Sequence, residues 1–152
     1  MRINTKDKND FDKLISEYTK NTLVNSMKNY VQHSDISTYE HCVSVAEYSF
    51  IINRKLNLKA DEKVLVTSAL LHDFYLYDWH IKSNNSKHHA KKHSFTAAKN
   101  AKDEFDVDYK IQRAIETHMW PINITQVPSS KEAWIICFVD KFCALKETIS
   151  RF

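Results

Sequence analysis

The sequence predicts an all-α protein, a single compact bundle of about six to seven helices spanning residues 1–152. Three observations lead to this prediction. The chain contains no glycine, whereas tight β-hairpins rely on glycine at turn positions with positive φ. It contains only two prolines, so few helix breakers interrupt it. Apolar residues recur at helical spacing along most of its length. At 152 residues the chain is long enough to form a core without disulfides or structural zinc, and its hydrophobic content of 43% predicts a globular fold.

The first half of the chain divides into three helical regions. Apolar residues at helical spacing indicate one long or two short helices over about residues 10–32. Ser37 and Glu40 have the spacing of a capping box, in which each side chain bonds the other residue's backbone, and they predict a helix over about 37–56. A third, strongly apolar helix over about 61–73 ends at the pair His72-Asp73.

The second half begins with a predicted loop and continues with helices that start at polar residues. Residues 75–92 show no apolar periodicity, and we expect a loop there. Proline disfavours helical geometry in the residue before it, so Trp120-Pro121 is expected to end the penultimate helix. The candidate N-caps of the later helices are Ser94, Asp106 or Asp108, and Ser129 with Glu132 three residues on.

Composition excludes several classes of protein. Without glycine the chain cannot build a Walker A or Rossmann phosphate loop. The net charge of +3 is too small to indicate nucleic-acid binding. The longest apolar run near the C-terminus, residues 133–139, is too short to span a membrane. Three cysteines in apolar surroundings are typical of buried free thiols in a reducing compartment, so we expect a cytoplasmic protein. The cysteines are Cys42, Cys137 and Cys143.

A set of polar residues falls on apolar helix faces or at helix ends, where burial is costly unless the residues are paired. Each has an ordinary interpretation, since a lone inward histidine is more often a hydrogen-bonded core residue than a ligand. However, the chain has only four arginines, and none is expected inside. The simplest explanation for the whole set is that these side chains are ligands of one or two divalent cations. The residues are His41, His72, Asp73, His118 and Asp140, with His93 just before a predicted helix.

The order of these residues resembles the HD-domain superfamily of metal-dependent phosphohydrolases. The similarity covers about residues 30–150, and the small bacterial subset with six ligands is the most similar, including its Tyr-Asp-Trp-His element at 77–80. The resemblance implies an HD-type bundle with two divalent transition-metal ions. Within that site it implies that Asp73 bridges the two ions, that His41, His72 and Asp140 bind on one side, and that His93 and His118 bind on the other.

Mixed imidazole and carboxylate ligands suit transition metals rather than calcium. Iron or manganese is expected first, with cobalt, nickel or zinc as alternatives. Two such ions would bridge a water, lower its pKa and clamp phosphate oxygens, so Asp73 is a candidate catalytic residue. The cysteine beside His41 points about 100° away on a helix and is expected to pack in the core.

The stretch from His80 to Lys102 contains six lysines, four histidines and no acidic residue. It is either a solvated loop or a cationic rim that draws a phosphorylated substrate towards the metals. On the second interpretation, His80, Lys91 and Lys92 bind substrate. His89 could then donate a proton to the leaving group or contact the phosphate.

The resemblance implies a nucleotide as the probable substrate, because small bacterial hydrolases of dinucleoside tetraphosphates share the ligand order. Residues 74–76 read Phe-Tyr-Leu rather than the Ile-Gly-Lys of cyclic-di-GMP phosphodiesterases, which argues against that substrate. Two other functions stay open. One is a di-iron oxygenase of the same superfamily, and the other is a non-catalytic, metal-stabilised module that binds an anionic partner. The oligomeric state is left open.

Overall fold

The protein was analysed as a computed structural model that describes residues 3–33, 35–81 and 89–149. Within these residues the chain forms helices and one short antiparallel ribbon, which confirms the predicted all-α class. The helices are α1 (Thr5–Ile15), α2 (Thr22–Ser26), α3 (Thr38–Lys55), α4 (Glu62–Leu71), α5 (His89–Phe105), α6 (Tyr109–Thr117) and α7 (Lys131–Ile149). The ribbon pairs β1 (Val31–His33) with β2 (Ile36–Ser37).

Helix α4 lies at the centre of the bundle. Every residue from Val64 to Leu71 is buried, as expected for a helix that is hydrophobic on all sides. It packs most extensively against α3 and also contacts α1, α6 and α7. The end of α4, where the HD pair lies, is therefore surrounded by other helices. None of the helices in the described residues is both long and apolar enough to cross a membrane.

Three of the predicted helix starts are confirmed by side-chain caps. Ser37 and Glu40 form the reciprocal capping box at the start of α3. The Asp61 carboxylate accepts a hydrogen bond from the backbone N–H of Val64 at the start of α4. Asp108 caps α6 in the same way. These contacts link residues three positions apart, so sequence spacing is enough to predict them.

The N-terminal region has two short helices, the second of the two predicted arrangements, but with different bounds. The chain turns after α1, and α2 begins after Asn21, whose side chain accepts hydrogen bonds from the N–H groups of Leu23 and Val24. Helix α2 is then short, and the chain enters β1. The ribbon brings the side chain of Gln32 into contact with Asp73.

Two predicted caps were wrong. Helix α5 already begins at His89, so Ser94 is a buried residue within the helix rather than its cap. Within this first turn, Nδ1 of the His93 ring donates a hydrogen bond to the His89 carbonyl. At α7 the capping side chain is that of Ser130 rather than the predicted Ser129. The Ser130 hydroxyl accepts a hydrogen bond from the backbone N–H of Ala133. Glu132 instead accepts the backbone N–H of Asp61 from another helix. Of the predicted loop, residues 82–88 lie outside the described part.

Candidate metal centre

Helices α3 to α7 bring the six predicted ligands together in the core. His72 is the C-cap of α4 and His118 is the C-cap of α6, so both rings project from helix ends. His41 belongs to the first turn of α3. His93 lies within α5, and Asp140 lies within α7. His41 and His72 are fully buried.

Three of the histidines have the same tautomer, because a backbone carbonyl fixes each one. Nδ1 of His72 lies 2.7 Å from the carbonyl oxygen of Ala69. Nδ1 of His118 lies 2.7 Å from that of Ile115, and Nδ1 of His93 lies 2.9 Å from that of His89. A carbonyl oxygen only accepts, so each Nδ1 donates, and the neutral ring then carries its lone pair on Nε2. Such bonds are the usual support of metal-binding histidines.

The three Nε2 atoms converge on the Asp73 carboxylate. Nε2 of His93 lies 3.1 Å from Nε2 of His118 and 3.2 Å from Oδ1 of Asp73. Nε2 of His118 lies 3.6 Å from the same oxygen. Nε2 of His72 lies 3.5 Å from Oδ2 of Asp73 and 3.5 Å from Oδ1 of Asp140. Neither Nε2 of His72 nor Oδ1 of Asp73 makes a hydrogen bond of acceptable geometry with any described residue.

Buried polar atoms without a hydrogen-bond partner, such as these two, are costly, and a cation bound between the ligands removes the cost. Within the described residues, three groups of ligand atoms lie close enough for one ion, with all atoms of a group within 4.8 Å of one another. The groups share members around Asp73 and His72, so the donor set fits metal binding. They are His41, His72 and Asp73; His72, His118 and Asp140; and Asp73, His93 and His118.

The pKa values of the cluster reflect strong attraction between its carboxylates and imidazoles. Burial raises the pKa of Asp73, but attraction to His72 and His93 outweighs it and lowers that pKa. The pKa of Asp140 is lowered well below its usual value, since hydrogen bonds to histidines outweigh burial. Burial and repulsion by His72 lower the pKa of His118 to about 3. The carboxylates are therefore ionised and attract cations, as metal ligands must.

His41 is held between two carboxylates of α7. Its Nε2 lies 3.1 Å from Oδ1 of Asp140, and its Nδ1 lies 2.9 Å from Oε2 of Glu147. Burial alone would lower the pKa of His41, but these two contacts raise it to about 10. Glu147 was not among the predicted site residues. It lies seven residues after Asp140 and so on the same helix face, which is a signal that the sequence does carry.

Gln32 is a second contact that sequence analysis missed. Its side-chain amide donates a 2.6 Å hydrogen bond to Oδ2 of Asp73, and its carbonyl accepts one of 2.6 Å from the Tyr75 hydroxyl. Because the bond from Gln32 uses Oδ2 of Asp73, Oδ1 is the oxygen that faces His93 and His118. No sequence pattern marks Gln32, because its position depends on the β ribbon.

The comparison with known protein families agrees with the predicted set of ligands. The sequence model of the HD domain family matches residues 38–145, a range that includes all six predicted ligands. The chain belongs to the HD domain family. Most members of this superfamily are metal-dependent phosphohydrolases. Searches of curated proteins and of solved structures give no match. Glu147 and Gln32 lie outside the matched residues of the HD domain.

A cavity of about 540 Å³ opens onto the metal centre of this HD domain. Asp73, His93, His118 and Asp140 line it, which gives a small molecule access to the cluster. Pockets of this size are typical of small-molecule sites. Its other described lining residues include Trp79, His89 and Lys141.

Of the four residues predicted to contact substrate, one lines the cavity and three are not among its described lining residues. His89 lines the cavity of the HD domain. His80, Lys91 and Lys92 are exposed and are not among its described lining residues. His80 bonds Asp78 instead. A direct role of these three residues in substrate binding stays a prediction.

His89 is held by aromatic neighbours and one hydrogen bond. Its ring stacks on His93 at 4.6 Å and on Trp79 at 5.2 Å between centroids. Its Nδ1 lies 2.8 Å from the Tyr77 hydroxyl. Burial, and secondarily repulsion by His93, lowers the pKa of His89 to about 4. When the phenol donates to Nδ1, Nε2 of the neutral ring carries the proton.

Lys141 is a cation of the cavity wall that sequence analysis did not select. Its ammonium donates hydrogen bonds to the carbonyl oxygens of His118 at 2.9 Å and Cys137 at 3.1 Å, and lies 4.0 Å from Asp140. Since it directly follows Asp140, its adjacency to a predicted ligand was the available signal.

Proposed function

We propose that this HD domain is a metal-dependent phosphohydrolase that acts on a small phosphorylated molecule, with nucleotides as the first candidates. One observation carries the proposal. The Nε2 atoms of His72, His93 and His118 converge on a buried carboxylate that opens into a cavity. Such a donor set is suited to holding cations where a substrate can reach them.

The residues that would hold the metal are the six predicted ligands. Asp73 has one oxygen towards His93 and His118 and the other near His72, which supports a bridging position between two ions. We propose two divalent transition-metal ions, with iron or manganese first. When bound, they would supply a water of lowered pKa and neutralise the charge of phosphate oxygens.

Other side chains orient the ligands. The Gln32 amide holds Asp73, so the carboxylate keeps one oxygen turned to the histidines. Glu147 fixes the His41 ring through Nδ1, which leaves Nε2 directed at Asp140 and the cluster. Such supporting contacts raise ligand basicity and reduce the freedom that binding must restrict.

Two residues of the cavity wall would contact the phosphate. The Lys141 ammonium is held in place by backbone carbonyls and supplies positive charge. His89 can direct an N–H into the cavity while Tyr77 holds its other nitrogen. This geometry supports the phosphate contact rather than proton donation, because a neutral imidazole N–H is a good hydrogen-bond donor but a weak acid.

The exposed cations would act at longer range. Lys91, Lys92 and His80 lie near the start of α5 or before it, on the same part of the chain as His89. We propose that they attract the anionic substrate from solvent, an effect that decreases with ionic strength.

Metal analysis and a hydrolysis assay test the proposal. Protein purified without chelator should contain a transition metal, and with manganese or iron it should hydrolyse an aryl phosphate. Asp73→Asn should abolish both properties, whereas the control Asp78→Asn, which changes a half-buried carboxylate outside the ligand groups in the same way, should preserve them. Absence of bound metal, or equal activity in both variants, would contradict the proposal.

A further inference from the structure

Helix α7 carries apolar residues on two opposite faces. Its inner face is buried in the bundle and includes Ile136, Val139 and Cys143. The outward face carries five large apolar side chains, one at each successive turn, and four of them are more than half exposed. A surface helix normally has polar residues on its outward face, whereas a helix that is apolar all round is normally covered. The five residues, here called the outer stripe, are Trp134, Phe138, Phe142, Leu145 and Ile149.

The two halves of the outer stripe differ in shape. In the first half, Trp134, Phe138 and Phe142 line an apolar groove of about 300 Å³ between α7 and the end of α3. In the second half, Leu145 and Ile149 are 60% and 58% exposed and are not among the described lining residues of this groove. One half therefore offers a concave surface, and the other offers exposed aliphatic side chains. None of the five residues is among the described lining of the cavity at the metal centre.

The spacing of the outer stripe is symmetric about the middle of the helix. Trp134 and Ile149 lie equally far from the midpoint between residues 141 and 142, and so do Phe138 and Leu145. If two copies of α7 pack antiparallel about a two-fold axis at this midpoint, Trp134 of each copy lies beside Ile149 of the other. Phe138 likewise lies beside Leu145. The groove of each copy then receives aliphatic side chains of the other, which is the self-complementarity that a two-fold interface requires.

The exposed area is close to what a small dimer interface needs. From their exposed fractions, the last four residues of the outer stripe present about 450 Å² of apolar surface per copy. Two copies would bury about 900 Å² through these residues alone, and specific interfaces bury at least about 1,000–1,200 Å² in total. A contiguous apolar patch of this size usually marks an interaction site, and with the rim of the groove it reaches the area of a small dimer interface.

The two lysines next to the outer stripe already have partners within the chain. Lys141 donates hydrogen bonds to the carbonyl oxygens of His118 and Cys137, and Lys146 donates one to the Tyr48 hydroxyl. A second copy can therefore cover the outer stripe without burying an unpaired ammonium group, which would be costly.

We propose that the outer stripe is the interface of a homodimer, in which α7 packs antiparallel against α7 of a second copy about a two-fold axis beside Phe142. Leu145 and Ile149 of each copy occupy the apolar groove of the other. The dimer needs neither metal nor substrate, so this inference is independent of the proposed function.

Sedimentation velocity of the full chain tests the interface. The wild type should sediment as a dimer with a Kd of about 10 µM or lower. Leu145→Glu would bury an unpaired charge beside Phe138 of the second copy, and it should raise Kd at least about 100-fold. The control Ile124→Glu places the same charge on an aliphatic residue that is 75% exposed outside the outer stripe, and it should dimerise like the wild type. Far-UV circular dichroism checks that the three proteins have the same helix content.

Three results would overturn the dimer. The first is a wild type that stays monomeric at about 100 µM. The second is a Leu145→Glu variant whose Kd equals that of the wild type or that of Ile124→Glu. The third is a wild-type monomer that cosediments with phosphatidylcholine vesicles, which would assign the outer stripe to a membrane surface instead.

Crosslinking tests the antiparallel arrangement without introducing a charge. In the antiparallel dimer the two copies of residue 142 lie beside the axis, whereas the two copies of residue 149 lie about 22 Å apart along the helices. A short bismaleimide, whose reach is well below that distance, should link Phe142→Cys into a covalent dimer and leave Ile149→Cys unlinked. The native cysteines Cys42, Cys137 and Cys143 are buried, so the wild type provides the background. Linkage of Ile149→Cys, or of neither variant, shows that the arrangement is wrong.

Discussion

Removing metal from this HD domain should lower its melting temperature, and the cluster around Asp73 provides the reason. The ligands come from five helices, so they are close together only in the folded chain. A metal that binds this arrangement and not the unfolded chain stabilises the fold by mass action. Without the metal, Nε2 of His93 and Nε2 of His118 lie 3.1 Å apart, and a hydrogen bond between them requires a proton on one of the two nitrogens.

The magnitude follows from this linkage and from the size of the domain. At free metal about 100 times Kd, binding to one site stabilises the folded state by about 2.7 kcal/mol. For a chain of 152 residues, each kcal/mol corresponds to about 2–4 °C in Tm. Loading with manganese should therefore raise Tm by about 5–11 °C.

The assay is differential scanning calorimetry of chelated and manganese-loaded protein, with elemental analysis of the loaded sample. Asp73→Asn should lose most of the metal-dependent shift, because it removes the carboxylate charge that two of the three ligand groups share. Asp78 is a half-buried carboxylate that bonds His80 and belongs to none of the ligand groups, so Asp78→Asn should keep the full shift. The reasoning is refuted if the wild-type shift is no larger than that of Asp73→Asn. A stoichiometry of one metal per chain would refute the dinuclear assignment.

Three further predictions concern residues around the site. Glu147→Ala should weaken metal binding about 10–100-fold by calorimetric titration, because it removes the support of the His41 ring. The loss should grow as pH rises. Asp140 and Glu147 together raise the pKa of His41 to about 10, so a proton competes with the metal for His41 in the wild type, and removing Glu147 weakens that competition at lower pH. His89→Gln should lower kcat about 10–100-fold, the contribution of a hydrogen bond to a charged group, with unchanged metal content. Ser37→Ala should destabilise the metal-free protein by about 1 kcal/mol in urea unfolding, because the α3 capping box with Glu40 is lost.

Each of these predictions has a control or a contrary outcome. Glu17→Gln changes an exposed carboxylate after α1 and should leave metal affinity unaltered. If Glu147→Ala binds metal as tightly as the wild type at alkaline pH, the carboxylate does not support the ligand. If His89→Gln loses its metal, His89 acts on the metal centre rather than on the substrate. A change in the urea m-value of Ser37→Ala would indicate an altered unfolded or native state rather than a lost cap.

The sequence alone determined the fold class and the order of the candidate ligands. The absence of glycine and the helical spacing of apolar residues were enough for the all-α prediction, because both are local properties of the chain. Helix starts at Ser37, Asp61 and Asp108 were predictable for the same reason, since a cap joins residues two or three positions apart. The HD pair was identifiable as a site because the other histidines and acids appear in a recognisable order.

Only the tertiary structure decided how the ligands are supported and what surrounds them. His41 and Glu147 are 106 residues apart, and Gln32 and Asp73 are 41 apart. Their pairing depends on how helices and the ribbon pack, and no local pattern encodes it. The same holds for the cavity, which residues from separate segments line together. Ligand identity follows from side-chain chemistry, which sequence records directly, whereas ligand geometry follows from contacts between distant segments, which form only when the core is packed.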